Sequence, residues 1–354
     1  MKKILFCSSD AGGANNIIPV IHEASATGYN CIVFGSQTTC KLFEKQNIDL
    51  CLEEVNSVEK AGKILHENEI DILICATSCY LGSEQYFIEA SRKKNIKSLS
   101  VLDEWFNYRI RFLSDRGELD YLPDIICCQD DRSKALAIKE GIPESILEVT
   151  GSVYLSELDK KRELFRDRNV SIPEIFKGIE RPIIVFLSET HSQDYGEDEN
   201  GGPFGDFLGY TEKIVRKDLF EALKHVDKTV TVLEKLHPND RNKYDVFQDD
   251  RIDWLIEKDM DVWTLFAACD IVVGMRSMAL LESALFDCPT VSYQPGRIGP
   301  QLCAAVNLGL VSCLRERNEL EKWIFNNFNG KEKIRKEEFS FIKSDVPKRI
   351  LELV

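Results

Sequence analysis

The stretch that most constrains the fold lies at residues 270–295 and has the sequence DIVVGMRSMALLESALFDCPTVSYQP. Its short apolar run ends in Gly274 and predicts a buried parallel strand. Ser277 stands where the N-cap of a helix is expected. Pro289 ends that helix, and a second strand is predicted at 290–293. Strand, tight turn, helix and strand together form the repeating unit of a parallel α/β fold.

The turn between this strand and its helix has the chemistry of a phosphate site. It places backbone N–H groups at a helix N-terminus and at the carboxyl end of a strand, where α/β proteins bind phosphate. We therefore expect free N–H donors at this turn. The residues expected to line the site are Gly274, Arg276 and Ser277. Glu282, one turn into the helix, can accept hydrogen bonds from a ribose diol, so the stretch predicts a nucleotide-diphosphate site.

Strand and helix patterns alternate along the whole sequence. Strand-like runs occur at 3–7, 31–35, 50–53, 71–76, 97–102, 124–128, 147–150, 182–187, 230–235, 252–256, 270–274, 290–293 and 311–313. Most consecutive runs are separated by helical patterns. This alternation predicts an α/β protein with parallel sheets covered by helices on both faces. At 354 residues the chain is long enough for two such domains. We expect two Rossmann-like, doubly wound domains with their strand ends facing a cleft.

The expected domain boundary lies in a highly charged segment without strand signals, at residues 156–177. The assigned regions are 1–160, an N-terminal acceptor domain; 161–180, a linker; 181–335, a C-terminal nucleotide-sugar donor domain; and 336–354, a C-terminal helix. The glycine-rich acidic segment 192–209 is predicted to be a mobile loop or lid.

Composition excludes several classes of function. The formal net charge of -14 argues against nucleic-acid binding and against broad adsorption to anionic lipid. The 12 cysteines lack the spacing of a disulfide framework, so we interpret them as reduced thiols in a reducing compartment. The N-terminal apolar run is too short for a signal peptide, and no apolar stretch reaches the roughly 18 residues of a membrane span. We expect a cytoplasmic protein.

Polar residues follow two other strands of the second half. His237 stands after an apolar strand, where an imidazole can stabilise the charge of a departing diphosphate. The alternative is a histidine that only closes a strand–loop junction. Ser188, Glu189 and Thr190 follow the strand at 182–187, and the two hydroxyls can donate to phosphate. The alternative there is a plain loop start.

The first half offers candidates for an acceptor site. Gly12 and Gly13 let the backbone approach a ligand closely, although they lack the G-x-G-x-x-G spacing of a dinucleotide site. Asp10 can accept a proton from an acceptor hydroxyl as a general base, or it can cap the following helix. Asp103 and Glu104 lie after another strand among aromatic residues, which suits sugar binding or catalysis, or a packed loop.

Asp259 and Asp261 form a D-x-D pattern of the kind that many metal-using transferases carry. Here the pattern precedes a helix, so we interpret Asp261 as an N-cap. No Cys/His cluster suggests zinc. The sequence therefore predicts no metal site and no cofactor.

The chain resembles the GT-B glycosyltransferase superfamily, in its bacterial envelope-polysaccharide branch. That branch includes lipid-A-disaccharide synthase, CDP-glycerol glycerophosphotransferase and UDP-N-acetylglucosamine 2-epimerase. The resemblance is carried by Leu236-His237-Pro238, residues 270–274, Arg276-Ser277, Glu282, Pro289 and Thr150-Gly151-Ser152. It implies metal-independent catalysis and a C-terminal helix that crosses back to the first domain. It also implies ribose binding by Glu282, diphosphate binding by Arg276, Ser277 and Met278, and donor-phosphate binding by His237.

Pattern and resemblance together predict an inverting glycosyltransferase of surface-glycan biosynthesis. It would move a sugar from a nucleotide-sugar donor to a hydroxyl of a glycan, a lipid-linked molecule or a small molecule. Asp10, Asp103 or Glu104 would act as the base. Such an enzyme can touch a membrane surface without crossing it, and its oligomeric state is left open. Three alternatives stay open: a UDP-sugar 2-epimerase or hydrolase, a CDP-polyol phosphotransferase, and a non-catalytic nucleotide-sugar-binding protein.

Overall fold

The chain forms two compact units. The computed structural model describes residues 2–167, 176, 178–245, 247–329 and 342–354. The first unit runs to Lys160 and also includes the C-terminal residues 342–354, and the second unit begins at Lys161. The expected linker at 161–180 starts within a helix, Val153–Asp167. Residues 168–175 and 177 of that linker lie outside the described residues.

The first unit is built on one parallel sheet. Its strands are β1 (Lys3–Ser8), β2 (Asn30–Gly35), β3 (Ile72–Cys75), β4 (Lys97–Val101), β5 (Ile125–Cys128) and β6 (Leu147–Val149). They lie in the order β2-β1-β3-β4-β5-β6. The helices that follow them are α1 (Ala11–Ala26), α2 (Cys40–Lys45), α3 (Val58–Glu67), α4 (Ser83–Lys93), α5 (Asp131–Lys139) and α6 (Val153–Asp167). Short 3-10 turns lie at Arg109–Phe112 and Glu144–Ile146.

The second unit repeats this plan. Its strands are β7 (Ile183–Leu187), β8 (Val230–Lys235), β9 (Ile252–Glu257), β10 (Ile271–Gly274), β11 (Thr290–Tyr293) and β12 (Ser312–Leu314). They form a parallel sheet in the order β12-β11-β10-β7-β8-β9. Its helices are α7 (His191–Asp194), α8 (Glu212–Leu223), α9 (Val262–Ala268), α10 (Met278–Leu285), α11 (Ala304–Asn307) and α12 (Arg317–Asn329).

Alternate residues of β1 explain why helices cover both faces of the first sheet. Ile4 and Phe6 belong to a core cluster that includes residues of α1. Leu5 and Cys7 point to the other face, into a cluster with residues of α3 and α4. The last helix, α13 (Val346–Leu351), contributes to the cluster on the α1 side. Burial on both faces accounts for the nearly continuous apolar sequence of the strand.

Each sheet has one point at which the strand order reverses. In the first unit the chain continues from β2 to β3 on the opposite side of β1, and in the second it continues from β9 to β10 on the opposite side of β7. The loops that leave β1 and β3, or β7 and β10, therefore diverge at the carboxyl edge. Such switch points are where open α/β sheets bind ligands. The predicted fold class, two doubly wound α/β domains, is confirmed.

Some predicted elements differ from the structure. The strand expected at 50–53 is wrong, because Cys51 forms only an isolated bridge with Phe34. Residues 342–345, expected to be helical, precede α13 as a loop, and 330–341 lie outside the described residues. The predicted loop 192–209 begins within α7. No helix in the described residues is long and apolar enough to cross a membrane.

Candidate functional site

At the switch point of the second unit, β7 and β10 end side by side. Leu187 pairs with Gly274 in the parallel register, so the loops after both strands leave the sheet at one position. A methyl group on Gly274 would lie 2.9 Å from Leu280 Cδ2 and 3.2 Å from Leu187 Cβ. The missing side chain of Gly274 thus lets α10 pack closely on the sheet, which is a structural role.

Glu189 occupies the N-terminus of α10. Its Oε1 accepts hydrogen bonds from the backbone N–H of Arg276 at 2.7 Å and of Ser277 at 2.9 Å. The expectation of free donors at this turn is therefore wrong for these two N–H groups. The sequence placed Glu189 between two hydroxyls that can donate to phosphate, and its own carboxylate takes the position that a phosphate oxygen would take.

The other oxygen of Glu189 faces two basic groups. Oε2 lies 3.1 Å from His191 Nε2 and 3.9 Å from Arg276 Nε. Burial acts to raise the pKa of Glu189, but His191 and the N–H and guanidinium of Arg276 together hold it below its ordinary value. The carboxylate is thus anionic at neutral pH. The Arg276 guanidinium also lies over the ring of Tyr195, 4.7 Å from its centroid.

The helix that follows begins as predicted. Ser277 is the N-cap of α10, and its side chain accepts a hydrogen bond from Ala279 N–H at 3.2 Å. Met278 is the first helical residue and is half-buried. Glu282 lies one turn further along and is buried, with 8% of its surface exposed.

The hydroxyls after β7 differ in their contacts. Thr190 donates to Asp194 within α7, so its hydroxyl already has a partner. Ser188 Oγ and His191 Nδ1 are buried and have no hydrogen-bond partner among the described residues. His191 is additionally enclosed by the rings of Tyr195 and Tyr210. Buried polar atoms without partners are uncommon, and they mark this loop as a place where a ligand or water completes the bonding.

His237 leaves the same edge of the sheet, because β8 pairs with β7 in parallel. Its Nδ1 accepts a hydrogen bond from Asn239 N–H at 3.2 Å, and its carbonyl accepts from Asp240 N–H at 2.9 Å. The imidazole is half-buried. These two contacts close the strand–loop junction, which is one of the two predicted roles, and the ligand-facing role stays a prediction.

Arg297 is a cation at this edge that the sequence did not single out. It lies in the loop after β11, and its Nε and Nη1 are buried without a hydrogen-bond partner in the described part of the chain. Gln294 ties this loop to the α10 turn, because its Nε2 donates to Met275 O at 2.9 Å. Unmatched guanidinium donors at a strand edge suit an anionic ligand. No spacing rule in the sequence pointed to this loop.

In the first unit, Asp10 caps a helix, which is one of the two roles that the sequence offered as alternatives. It is the N-cap of α1, and its Oδ1 accepts from Gly13 N–H at 2.7 Å. Burial is the largest effect and raises the pKa of Asp10 to about 6. The Gly13 N–H acts to lower this pKa, Asp103 and Glu84 act to raise it, and Arg111 acts to lower it. A carboxyl group with this pKa can exchange protons near neutral pH.

Asp103 is held by a buried arginine. Its Oδ1 lies 2.5 Å from Arg111 Nη1 and accepts from Thr77 Oγ1 at 3.1 Å. The side chains of Asp103 and Arg111 are 10% and 3% exposed. Glu104, the third candidate base, is half-buried, and its backbone carbonyl accepts from Gln129 Nε2. Asp103 is thus fixed as one member of an ion pair.

Another carboxylate, that of Glu84, lies at the same edge and was missed from the sequence. It is 2% exposed and accepts hydrogen bonds from Ser9 N–H and Ser9 Oγ, both at 2.6 Å. Glu84 is the second residue of α4, the helix after β3, and β3 borders the switch point. Glu84 could therefore have been recognised as a site candidate only from the strand order, which the sequence pattern does not reveal.

Gly12 and Gly13 differ in what surrounds them. A methyl group on Gly12 would lie 2.9 Å from Asp103 Oδ2 and 3.6 Å from Asp10 Oδ1. A methyl group on Gly13 would lie 2.6 Å from Ala76 Cβ. Gly12 is exposed and Gly13 is buried. Two carboxylates therefore face the small space beside Gly12, while Gly13 serves close packing of α1.

One of the two aspartates of the D-x-D pattern has a structural role. Asp261 is the N-cap of α9, and its side chain accepts from Thr264 N–H at 3.1 Å, which confirms the predicted cap. Among the described residues, no group of three or more His, Cys, Asp or Glu side chains is arranged to hold a metal ion. All 12 cysteines are free thiols.

Solved structures share this fold over the whole chain. A UDP-GlcNAc 2-epimerase from Neisseria meningitidis, bound to UDP-GlcNAc, is similar with a TM-score of 0.67 at 13% identity, covering 99% of both chains. MurG from Acinetobacter baumannii is similar with a TM-score of 0.59 at 11% identity. HepE from Anabaena, in complex with UDP and glucose, is similar with a TM-score of 0.61 at 12% identity. Each comparison covers 100% of this chain and 99% of the other.

These similarities define the class of fold. The solved structures are enzymes of the GT-B fold, so the predicted resemblance in fold is confirmed. Their identities are too low to transfer an activity. The sequence matches no protein-family model, and no curated protein matches it.

Proposed function

We propose that this protein is a metal-independent enzyme that transfers a sugar from a nucleotide-diphosphate donor to a hydroxyl acceptor in surface-glycan biosynthesis. The observation that carries the proposal is Asp10, a carboxyl group at a switch point whose pKa is raised to about 6. A general base for hydroxyl activation needs a pKa near the working pH. Asp103, paired with Arg111, is less available for that role.

The second unit supplies the nucleotide site in this proposal. Ser277 and Met278 start α10, and Glu282 lies one turn along it, in the order that the family resemblance assigns to diphosphate and ribose. Arg276 and His237 lie on loops from the same strand edge. Similar solved structures hold UDP, UDP-GlcNAc, or UDP with glucose, which supports a nucleotide-sugar ligand.

The proposed reaction is a direct displacement. The acceptor oxygen forms a bond to the anomeric carbon as the bond from that carbon to the diphosphate breaks. The acceptor proton passes to Asp10, and the electron pair of the broken bond stays on the nucleoside diphosphate. His237 stabilises the departing charge. Attack from the face opposite the leaving group inverts the anomeric configuration.

Epimerisation or hydrolysis of a UDP-sugar is a second candidate, and one observation favours it. Asp10 and Asp103 both face the space beside Gly12. Removing a proton from a sugar carbon and returning it on the opposite face needs two acid–base groups, whereas glycosyl transfer needs one. Several similar solved structures are UDP-GlcNAc 2-epimerases.

Turnover of UDP-GlcNAc with and without a panel of hydroxyl acceptors separates these functions. Release of UDP only with an acceptor supports transfer, and release without one supports hydrolysis. Inversion at the sugar C2 identifies epimerisation. Binding without turnover would indicate a non-catalytic protein. A thermal-shift screen of nucleotide sugars with other bases extends the test, because a ligand of the native state raises its stability.

Two variants test the assigned roles. Asp10→Asn should lower turnover by about 100-fold or more while leaving the Kd for UDP unchanged, because it removes the base and retains the helix cap. His237→Ala should lower UDP affinity. If His237→Ala leaves both affinity and turnover unchanged, the nucleotide site is wrongly assigned.

A further inference from the structure

We propose that Glu189 is a specificity-determining residue, whose fixed negative charge makes the site prefer a nucleotide sugar over the free nucleoside diphosphate. This inference rests on the proposed function, since it concerns the ligand of the same site. It assigns to Glu189 a role opposite to phosphate binding.

Glu189 is locked in place from two sides. Oε1 accepts from two consecutive N–H groups at the start of α10, and Oε2 faces the imidazole of His191. Its side chain is 12% exposed. A carboxylate held by both oxygens in this way has little freedom to swing aside. The two N–H groups of residues 276 and 277 are therefore unavailable to a phosphate unless the ligand displaces Glu189.

The positive charge of Arg276 near the α10 turn already interacts with other groups of the protein. Arg276 lies 3.9 Å from Glu189 through its Nε, and its guanidinium lies over the ring of Tyr195. The favourable dipole end of α10 is likewise directed at the carboxylate. A phosphate that enters beside this turn therefore gains less attraction than it would at an empty helix terminus. It also experiences repulsion from the buried carboxylate.

The two ligands differ in charge at the terminal phosphate. In a nucleotide sugar that phosphate is esterified, whereas in the free nucleoside diphosphate it carries an additional negative charge at neutral pH. Repulsion by Glu189 therefore acts more strongly on the free nucleoside diphosphate. In the proposed reaction this difference favours binding of the donor and release of the nucleotide product.

The test compares Kd values for UDP and UDP-GlcNAc, measured by calorimetry at pH 7.5 with EDTA present. EDTA matters because a bound divalent cation would neutralise the charge that distinguishes the ligands. The wild-type protein should bind UDP-GlcNAc more tightly than UDP. Glu189→Gln keeps an oxygen acceptor for both N–H groups and removes the charge. It should shift the ratio of the two affinities toward UDP by about tenfold.

A matched control is Glu197→Gln, which removes a carboxylate from the same segment. Glu197 is 57% exposed and pairs with Lys213, so its loss should leave the ratio of affinities unchanged.

The outcomes separate this inference from the proposed function. If Glu189→Gln weakens the binding of both ligands equally, Glu189 only supports the α10 turn and the inference is overturned. A wild-type preference for UDP overturns it as well. If the wild-type protein binds neither ligand, the proposed UDP-sugar site itself fails, and with it the inference.

Discussion

Asp103 Oδ1 lies 2.5 Å from Arg111 Nη1, in an ion pair that is almost completely buried. The same guanidinium group donates to Thr77 Oγ1 at 2.8 Å and, through Nε, to Asn107 O at 3.1 Å. Thr77 follows β3 and Asp103 follows β4, so Arg111 joins the loops of two neighbouring strands. The position of the carboxylate beside Gly12 therefore depends on an arginine eight residues further along the chain.

Arg111→Met should destabilise the first unit strongly. Removing the cation leaves Asp103 buried without its partner, at a cost of about 3–5 kcal/mol in the free energy of unfolding. Arg116→Met provides the control, because Arg116 pairs with Asp120 while 73% of its side chain is exposed. Its loss should leave the free energy of unfolding nearly unchanged. Chemical denaturation followed by circular dichroism measures both values.

The double variant Asp103→Asn with Arg111→Met extends this test. Because both charges are removed together, it should be less destabilised than the sum of the two single variants. If the effects simply add, or if Arg111→Met behaves like Arg116→Met, the pair does not hold the loops as described.

The order of strands and helices was predictable because it depends on local patterns. Apolar runs of strand length alternate with helical periodicity, and capping residues mark helix starts, as at Ser277 and Asp261. The strand expected at 50–53 failed because its edge position offers Cys51 only one bridge, to Phe34. Pairing to a neighbour is a tertiary property that the local sequence does not fix.

The chemistry of the candidate site was less predictable, because it depends on which strands are neighbours. Glu189 and Arg276 are 87 residues apart in the sequence, and only the pairing of β7 with β10 brings them together. Glu84 meets Ser9 for the same reason, through β1 and β3. The sequence placed candidates at strand ends correctly but could not show that one of them occupies the donors of another.

Gly12 and Gly13 should respond differently to the same substitution. Gly13→Ala places a methyl group 2.6 Å from Ala76 Cβ, so it should lower the stability of the first unit by about 1–3 kcal/mol. Gly12→Ala instead enters the space beside Asp103 and Asp10, and it should reduce turnover more than thermal stability. Thermal melts and UDP-GlcNAc turnover of both variants check this contrast. Equal losses of stability would contradict it.

Glu282→Gln should weaken recognition of the ribose. A carboxylate accepts hydrogen bonds from both hydroxyls of a ribose diol, whereas an amide has one acceptor oxygen. We expect about tenfold weaker binding of UDP and a smaller loss for 2′-deoxy-UDP, because hydrogen bonds to charged groups contribute about 1.5–3 kcal/mol. Calorimetry of the two ligands with both proteins gives the comparison. Equal losses for UDP and its deoxy analogue would place the ribose elsewhere.

Turnover should depend on pH through Asp10. Its pKa is raised from 3.8 to about 6, chiefly by burial, so the group is protonated below that pH and cannot accept a proton. The value of kcat/KM should therefore fall about tenfold for each pH unit below 6 and level off above it. Asp10→Asn should remove this dependence together with most of the activity.

The same shift predicts an effect on stability with a definite sign. Because the folded state binds the Asp10 proton more tightly than the unfolded state, ionisation costs folding free energy as the pH rises from about 3.8 to about 6. Asp10→Asn removes that cost and keeps an oxygen that can cap α1. The variant should therefore melt at a higher temperature than the wild-type protein at pH 7.5, and the difference should shrink toward pH 4. A lower melting temperature at pH 7.5 would show that ionised Asp10 stabilises the fold, and that its carboxylate is not the strained base proposed for catalysis.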